Sequence, residues 1–478
     1  MTAPAEPTDG IVYASARGRW VLFATVLGSA IAFIDATVVT IALPTIADDL
    51  DATTADLQWT VNAYALTLAA FLLLGGSLGD RFGRRKVFLV GVVWFAVASL
   101  LCAVAPTIGA LNAARALQGV GGALLTPGSL AILQSDVQRS GPAGARSVPG
   151  RGSAGSPGRV APFLGGWIVQ VTTWRWIFGI NLPLAAVVVA VTMRHVPESA
   201  DASAAKKLDV AGTVLGALGL GGLTYGFTAW TESGTPDALV VGTLVFGVAA
   251  MVAFLVVESR ASAPLLPPAL FRWRPFAGTN AATLLIYAAI SGLFFFLVVT
   301  LQVVAGYSPL AAGLAPLPVT VLMLLLSPRA GALSTIMGPK IPMTVGPLVC
   351  AVGAVMLSGI GPDEPYLTQV MPGILVFGLG LSATVAPLTT TALAAAPDHL
   401  AGVASGVNNA VARVAGLLAI AVLPLAAGVG SSLTDPSTLE PAHRVAMLVC
   451  AGLLAGGGVI ALLTVPSSAD AVRPVDVV

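Results

Sequence analysis

Between Arg274 and Arg329 the chain carries no charged residue. A water-exposed helix or sheet of that length would need a charged face, and none exists here. One crossing of a bilayer takes only about 20 apolar residues, so the stretch is too long for a single span. The turn residues Ala305-Gly306-Tyr307-Ser308-Pro309 divide it into spans near 276–304 and 309–328. Further apolar runs fall near 20–43, 57–78, 87–106, 108–133, 174–193, 210–230, 238–257, 341–360, 367–391, 403–428 and 445–465, with a short one at 160–171. With the short run included, fourteen spans are expected. The composition excludes other classes. Only 9% of residues are charged and 56% are hydrophobic, so disorder is ruled out. A net charge of +1 leaves no footprint for nucleic acid. The fold class expected is an all-α polytopic membrane protein. The first apolar run is too long for a signal-peptide core, so no cleaved leader is expected.

Three widely spaced cysteines, Cys102, Cys350 and Cys450, suggest neither disulfides nor a metal site. His195, His399 and His443 read as residues of polar connections. No paired carboxylates, histidine cluster or Ser/His/Asp set falls within a span. The reading is of a non-enzyme without metal or cofactor.

Orientation follows from the Lys and Arg residues. With the N-terminus inside, all 23 but Arg115, Arg175, Arg413 and Arg444 fall on cytoplasmic segments. Outer loops are acidic instead, at Asp48, Asp49, Asp51, Asp56, Asp363 and Glu364. An even span count returns the C-terminus to the cytoplasm. Three charges remain deep in the membrane: Asp35, Arg115 and Arg413. Each costs at least about 2.5–3.5 kcal/mol at the bilayer centre, so such groups normally face a bundle interior or a wet cavity. Functional groups and a structural ion pair both satisfy that requirement.

The connection between spans 2 and 3 reads Gly76-Ser77-Leu78-Gly79-Asp80-Arg81-Phe82-Gly83-Arg84-Arg85-Lys86. It is a tight basic turn, with Gly76 and Gly79 permitting close helix contact. Span 1 carries Asp35-Ala36-Thr37-Val38-Val39-Thr40-Ile41-Ala42-Leu43-Pro44, and span 4 carries Arg115-Ala116-Leu117-Gln118-Gly119-Val120-Gly121-Gly122. Gln58-Trp59-Thr60-Val61-Asn62-Ala63-Tyr64, Trp174-Arg175-Trp176-Ile177-Phe178, Asn181-Leu182-Pro183, Leu208-Asp209 and Ser405-Gly406-Val407-Asn408-Asn409 follow in order. Together these resemble the major facilitator superfamily, in its drug:proton antiporter branch with fourteen helices. The segment Pro328–Lys340 looks like a second copy of the loop signature, with Thr335 at the acidic position.

The resemblance implies two six-helix bundles and two extra central helices. Boundaries are expected at 1–19 (cytoplasmic tail), 20–195 (N-terminal bundle), 196–260 (central helices 7 and 8 with linkers), 261–466 (C-terminal bundle) and 467–478 (cytoplasmic tail). It implies proton-coupled export of hydrophobic or amphipathic drugs from a plasma-membrane monomer, whose partners are the substrate, protons and lipid. Asp35, facing the central cavity, Arg115 and Gln118 would couple protons to substrate. Gly76, Asp80, Arg81, Gly83 and Arg84 would form a cytoplasmic latch. Asn62, Tyr64, Tyr287, Asn408, Asn409 and Arg413 are cavity candidates, although each neutral polar one is more readily a helix–helix hydrogen bond than a ligand contact. The alternatives are a dedicated exporter of an endogenous secondary metabolite and a coupling-defective product.

The last alternative arises from the fifth span. Pro162, Gly165 and Gly166 match the family's antiporter motif, but Ala161 replaces its first glycine. Residues 137–159 are a polar Gly/Pro/Arg/Ser tract. One set of codons for Arg146–Gly158, read two bases later, encodes an apolar glycine-rich helix beginning Ile-Gly-Ala-Trp. We therefore expect a compensated frameshift, which resequencing the gene tests directly.

Overall fold

The computed structural model describes residues 16–139, 161–200, 209–261, 264–397, 400–430 and 433–468. The tract 140–160, which carries most of the frameshift reading, lies outside them. The N-terminal half contains α1 (Ala16–Leu50), α2 (Thr54–Phe82), α3 (Arg84–Ala103), α4 (Ile108–Arg139), α5 (Ala161–Val171) and α6 (Asn181–His195). A hairpin of α7 (Val210–Ser233) and α8 (Ala238–Arg260) follows. The C-terminal half contains α9 (Arg274–Val303), α10 (Leu317–Met337), α11 (Lys340–Leu357), α12 (Met371–Ala394), α13 (Ala401–Ala427) and α14 (Pro436–Thr464). Among the described residues, twelve helices are long and apolar enough to cross a membrane. The α4 and α5 helices occupy the other two of the fourteen expected positions, and α5 is only 11 residues long.

The helices overrun their apolar windows because local chemistry sets their ends. A capping box opens α2: Asp56 N–H donates to the Thr53 hydroxyl, while Thr53 N–H donates to the Asp56 carboxylate. Asp209, Asp237 and Asp435 cap α7, α8 and α14. Hydrogen bonding to Ser437 and Thr438 holds the exposed Asp435 carboxyl below the usual carboxylate range. This early start of α14 corrects one expectation. His443 lies inside the helix and is fully buried, not in a polar connection. Its Nε2 donates to Leu357 O (2.9 Å), and its Nδ1 meets the Thr300 hydroxyl at 3.1 Å, tying α14 to α9 and α11.

Within the N-terminal half, α4 packs against α2 and α3. A Cβ on Gly121 would lie 2.7 Å from Phe95 N, and one on Gly119 2.3 Å from Tyr64 O. The glycine row of α4 is therefore a contact surface that lets three backbones approach closely. In the C-terminal half, α9 packs on α13 and α14, while α11 packs on α12 and α14. The extra hairpin joins both halves through α7, which lies against α2 and α13. Exposed Val245, Val248, Val252 and Leu255 form an apolar stripe along α8, as a lipid-facing surface requires.

The halves also meet near the Asp49 end of the bundle. Gln58 Nε2 donates to Ile420 O (3.0 Å), and Gln302 Nε2 donates to Ile41 O (3.0 Å). Gly165 and Gly166 let α5 slot between the halves. A Cβ on the first would sit 2.6 Å from Val38 Cγ1, and one on the second 2.7 Å from Pro309 O.

Candidate functional site

Five helices of the N-terminal half converge on one carboxylate. Asp35 is 1% exposed, and Arg115, Gln118, Ser99 and Asn181 are fully buried around it. Arg115 Nη1 donates to Asp35 Oδ2. Gln118 Nε2 donates to Asp35 Oδ1 at 2.8 Å, and Asn181 Nδ2 donates to the same oxygen at 3.0 Å. Ser99 Oγ accepts from both amides, at 2.8 and 3.3 Å. Arg115 also donates from Nε to Thr60 O (3.0 Å) and from Nη1 to Gln118 Oε1 (2.5 Å). Its guanidinium lies 4.4 Å from the Tyr64 ring centroid and 5.7 Å from that of Phe178, within cation–π range.

The arrangement follows from spacing on α4. Arg115 and Gln118 stand three residues apart, so both side chains leave one face of the helix. Both then reach α1 together. The carboxylate accepts bonds from a cation and two neutral amides, which is how a buried charge is tolerated. Where the resemblance implies Asp35 facing a cavity, the structure places it inside the N-terminal bundle, sealed from solvent. Ser99 and Asn181 complete the site and were not foreseen. Asn181 stood in a recognised motif, whereas Ser99 had no sequence signal beyond being a hydroxyl in an apolar helix.

The other candidates separate. Tyr64 joins the site through its ring, and its hydroxyl donates to Ala32 O (3.3 Å). Arg413 is half-buried on α13 and close enough for its charge to act on both Tyr64 and Tyr287, so it stands between the halves. Asn408 is structural: its Nδ2 donates to Asn280 Oδ1 (3.2 Å) and Thr283 Oγ1 (2.9 Å) on α9. Asn409 and Tyr287 are half-buried. Asn62 is fully buried, and neither carboxamide atom has a hydrogen-bond partner among the described residues. Gly166 sits at the contact between halves, while Gly165 packs on Val38 of α1; Pro162 is on the same helix.

At the opposite end, Gly83 separates α2 from α3 with φ at +108°. Asp80 and Arg84 form an ion pair across it (2.8 Å), half-buried. Arg81 lies 5.1 Å from the Phe82 ring centroid, and Gly76 packs near Pro127. Glu198, just beyond α6, accepts from Arg85 N–H at 3.1 Å, and Ser199 O accepts from Arg84 N–H at 2.8 Å. The second-half copy repeats the pattern. Gly338 has φ at +79° and lies against Ser467, just beyond α14. Each loop therefore docks on the chain that leaves the last helix of its own half.

The family model for the Major Facilitator Superfamily matches residues 25–420. The chain belongs to this superfamily. The puromycin resistance protein pur8 of Streptomyces alboniger is 35% identical over 476 residues, covering 95% of this chain and 93% of that protein. The tetracenomycin C resistance and export protein of Streptomyces glaucescens is 35% identical, covering 88% of this chain and 78% of that protein. The fold also matches a crystal structure of a POT family transporter in complex with a thioalcohol-conjugated peptide. That match has a TM-score of 0.66 at 13% identity and covers 96% of this chain and 97% of that one. Apolar helices and family together make this superfamily member a multi-pass membrane protein.

Proposed function

We propose that this protein exports hydrophobic or amphipathic drugs or antibiotics across the plasma membrane by alternating access, in exchange for protons. The observation that carries the reading is Asp35, an ionisable carboxylate buried on Arg115, Gln118 and Asn181 where four other helices meet α1. A proton arriving on Asp35 removes the charge that holds Arg115, so all five helices feel one protonation event. The relatives' names, which speak of resistance and export, support an antibiotic-like cargo. The tetracenomycin relative equally favours a second reading, a dedicated exporter of an endogenous antibiotic.

The basic loops support a cytoplasmic position for the Arg17 end of α1, with both termini inside and the Asp49 end outside. The contacts of Gln58, Gln302 and Gly166 then close the outer side. Residues 20–195 and 261–466 act as the two rocking bodies, with 196–260 between them. Asp80, Arg84 and Glu198 hold the inner loop of the first body, and Arg413 faces the cargo path between the bodies. The protein works as a monomer. Efflux measured in inverted membrane vesicles tests the reading. A proton gradient should drive it and an uncoupler should abolish it; uncoupler-insensitive flux contradicts proton exchange.

A further inference from the structure

A second pair of acidic groups lies outside the Asp35 network, at the end of the extra hairpin. Glu258 is 1% exposed, two residues before the end of α8 at Arg260. Asp209 is the N-cap of α7. A Cβ on Gly212 would lie 2.6 Å from Asp209 Oδ2 and 2.6 Å from Glu258 Oε1, so those oxygens are no more than 5.2 Å apart, twice 2.6 Å. Both are buried, and neither has a hydrogen-bond donor among the described residues. The remaining oxygens are engaged. Asp209 Oδ1 accepts from Gly212 N–H (2.7 Å), and Glu258 Oε2 accepts from Leu266 N–H (2.9 Å).

Two facing buried acceptors need a donor between them. Among the described residues, Arg260 on α8, Asp80 and Arg81 at the same end of α2, and Arg413 on α13 are the other charged groups on the surrounding helices; Asp209 acts on Glu258 and none of these four does. The helix ends sort the two carboxyls. Asp209 sits at the positive N-terminus of α7, which favours its anion, while Glu258 sits at the negative C-terminus of α8, which disfavours one.

We propose that Asp209 and Glu258 together bind one proton, carried on Glu258 Oε1 and donated to Asp209 Oδ2, as a protonation site separate from Asp35. Losing that proton leaves two anions side by side, next to the segment at Leu266 that leads into α9. The proposal stands whether or not Asp35 couples transport.

Infrared difference spectra of the full chain in lipid vesicles test it. The protonated-carboxyl stretch should be present at neutral pH and shift down in heavy water. It should be lost in both Glu258→Gln and Asp209→Asn. Gln keeps the Leu266 acceptor and Asn keeps the cap, while each side-chain amide donates to the remaining carboxylate. Asp35→Asn should leave the band in place. The proposal is overturned if either variant leaves the band unchanged, or if the wild type has no such band because both groups are ionised around a metal cation. If a variant does not insert, pH titration of the wild-type band decides: a band already lost at neutral pH overturns the proposal, and one retained there supports it.

Discussion

Removing both partners of the Asp35–Arg115 pair should damage the protein less than the sum of removing each alone. Arg115→Met leaves the Asp35 carboxylate, 1% exposed, with only the Gln118 and Asn181 amides as donors. Stranding a buried charge in this way costs about 3–5 kcal/mol. Asp35→Leu strands the guanidinium instead, against Thr60 O, Gln118 Oε1 and the Tyr64 ring. The double variant Asp35→Leu/Arg115→Met removes both charges, and Ser99 Oγ still accepts from both amides. Its coupling energy should be about 2–3 kcal/mol in the stabilising direction. That amounts to roughly a hundredfold in the unfolding equilibrium relative to the sum of the singles. Reversible unfolding in mixed micelles, followed by circular dichroism, measures all four corners of the cycle. Additive losses, with a coupling below about 0.5 kcal/mol, would refute the pairing that the site rests on.

Gly83→Ala should cost roughly 1–2 kcal/mol through its positive φ alone. It also places a Cβ 2.5 Å from Glu198 Oε1, so adding Glu198→Ala should restore the clash component of the melting temperature but not the rest. Gly166→Leu drives a side chain into the backbone of Pro309 and Leu310. Faster hydrogen exchange at 309–314, with membrane insertion intact, is the expected outcome; unchanged exchange contradicts the contact. Cys102, Cys350 and Cys450 are all buried, so the folded protein should resist a polar maleimide and label only after denaturation.

The helices were legible because apolar runs in a bilayer have few alternatives. Their ends were less so, since hydropathy cannot see a cap. Asp435 starts α14 well before the apolar run near 445, and this is why His443 was misplaced. The pair Arg115 and Gln118 was legible from its helical spacing and from a family motif. Asn181 and Ser99 lie 146 and 82 residues apart from partners that only packing brings near, and no local pattern encodes that. The seal over Asp35 was also invisible. It depends on how five helices close, not on what any one of them contains. No local pattern pairs Glu258 with Asp209, which only the folding of the α7–α8 hairpin brings beside it.

The central claim is that Asp35 carries the transported proton. Purified wild type and Asp35→Asn in liposomes, loaded with a pH-sensitive dye, test it when drug is supplied on one side. The account predicts drug-driven proton movement in the wild type and none in Asp35→Asn, with drug binding retained. Proton movement of equal rate in both proteins would contradict it.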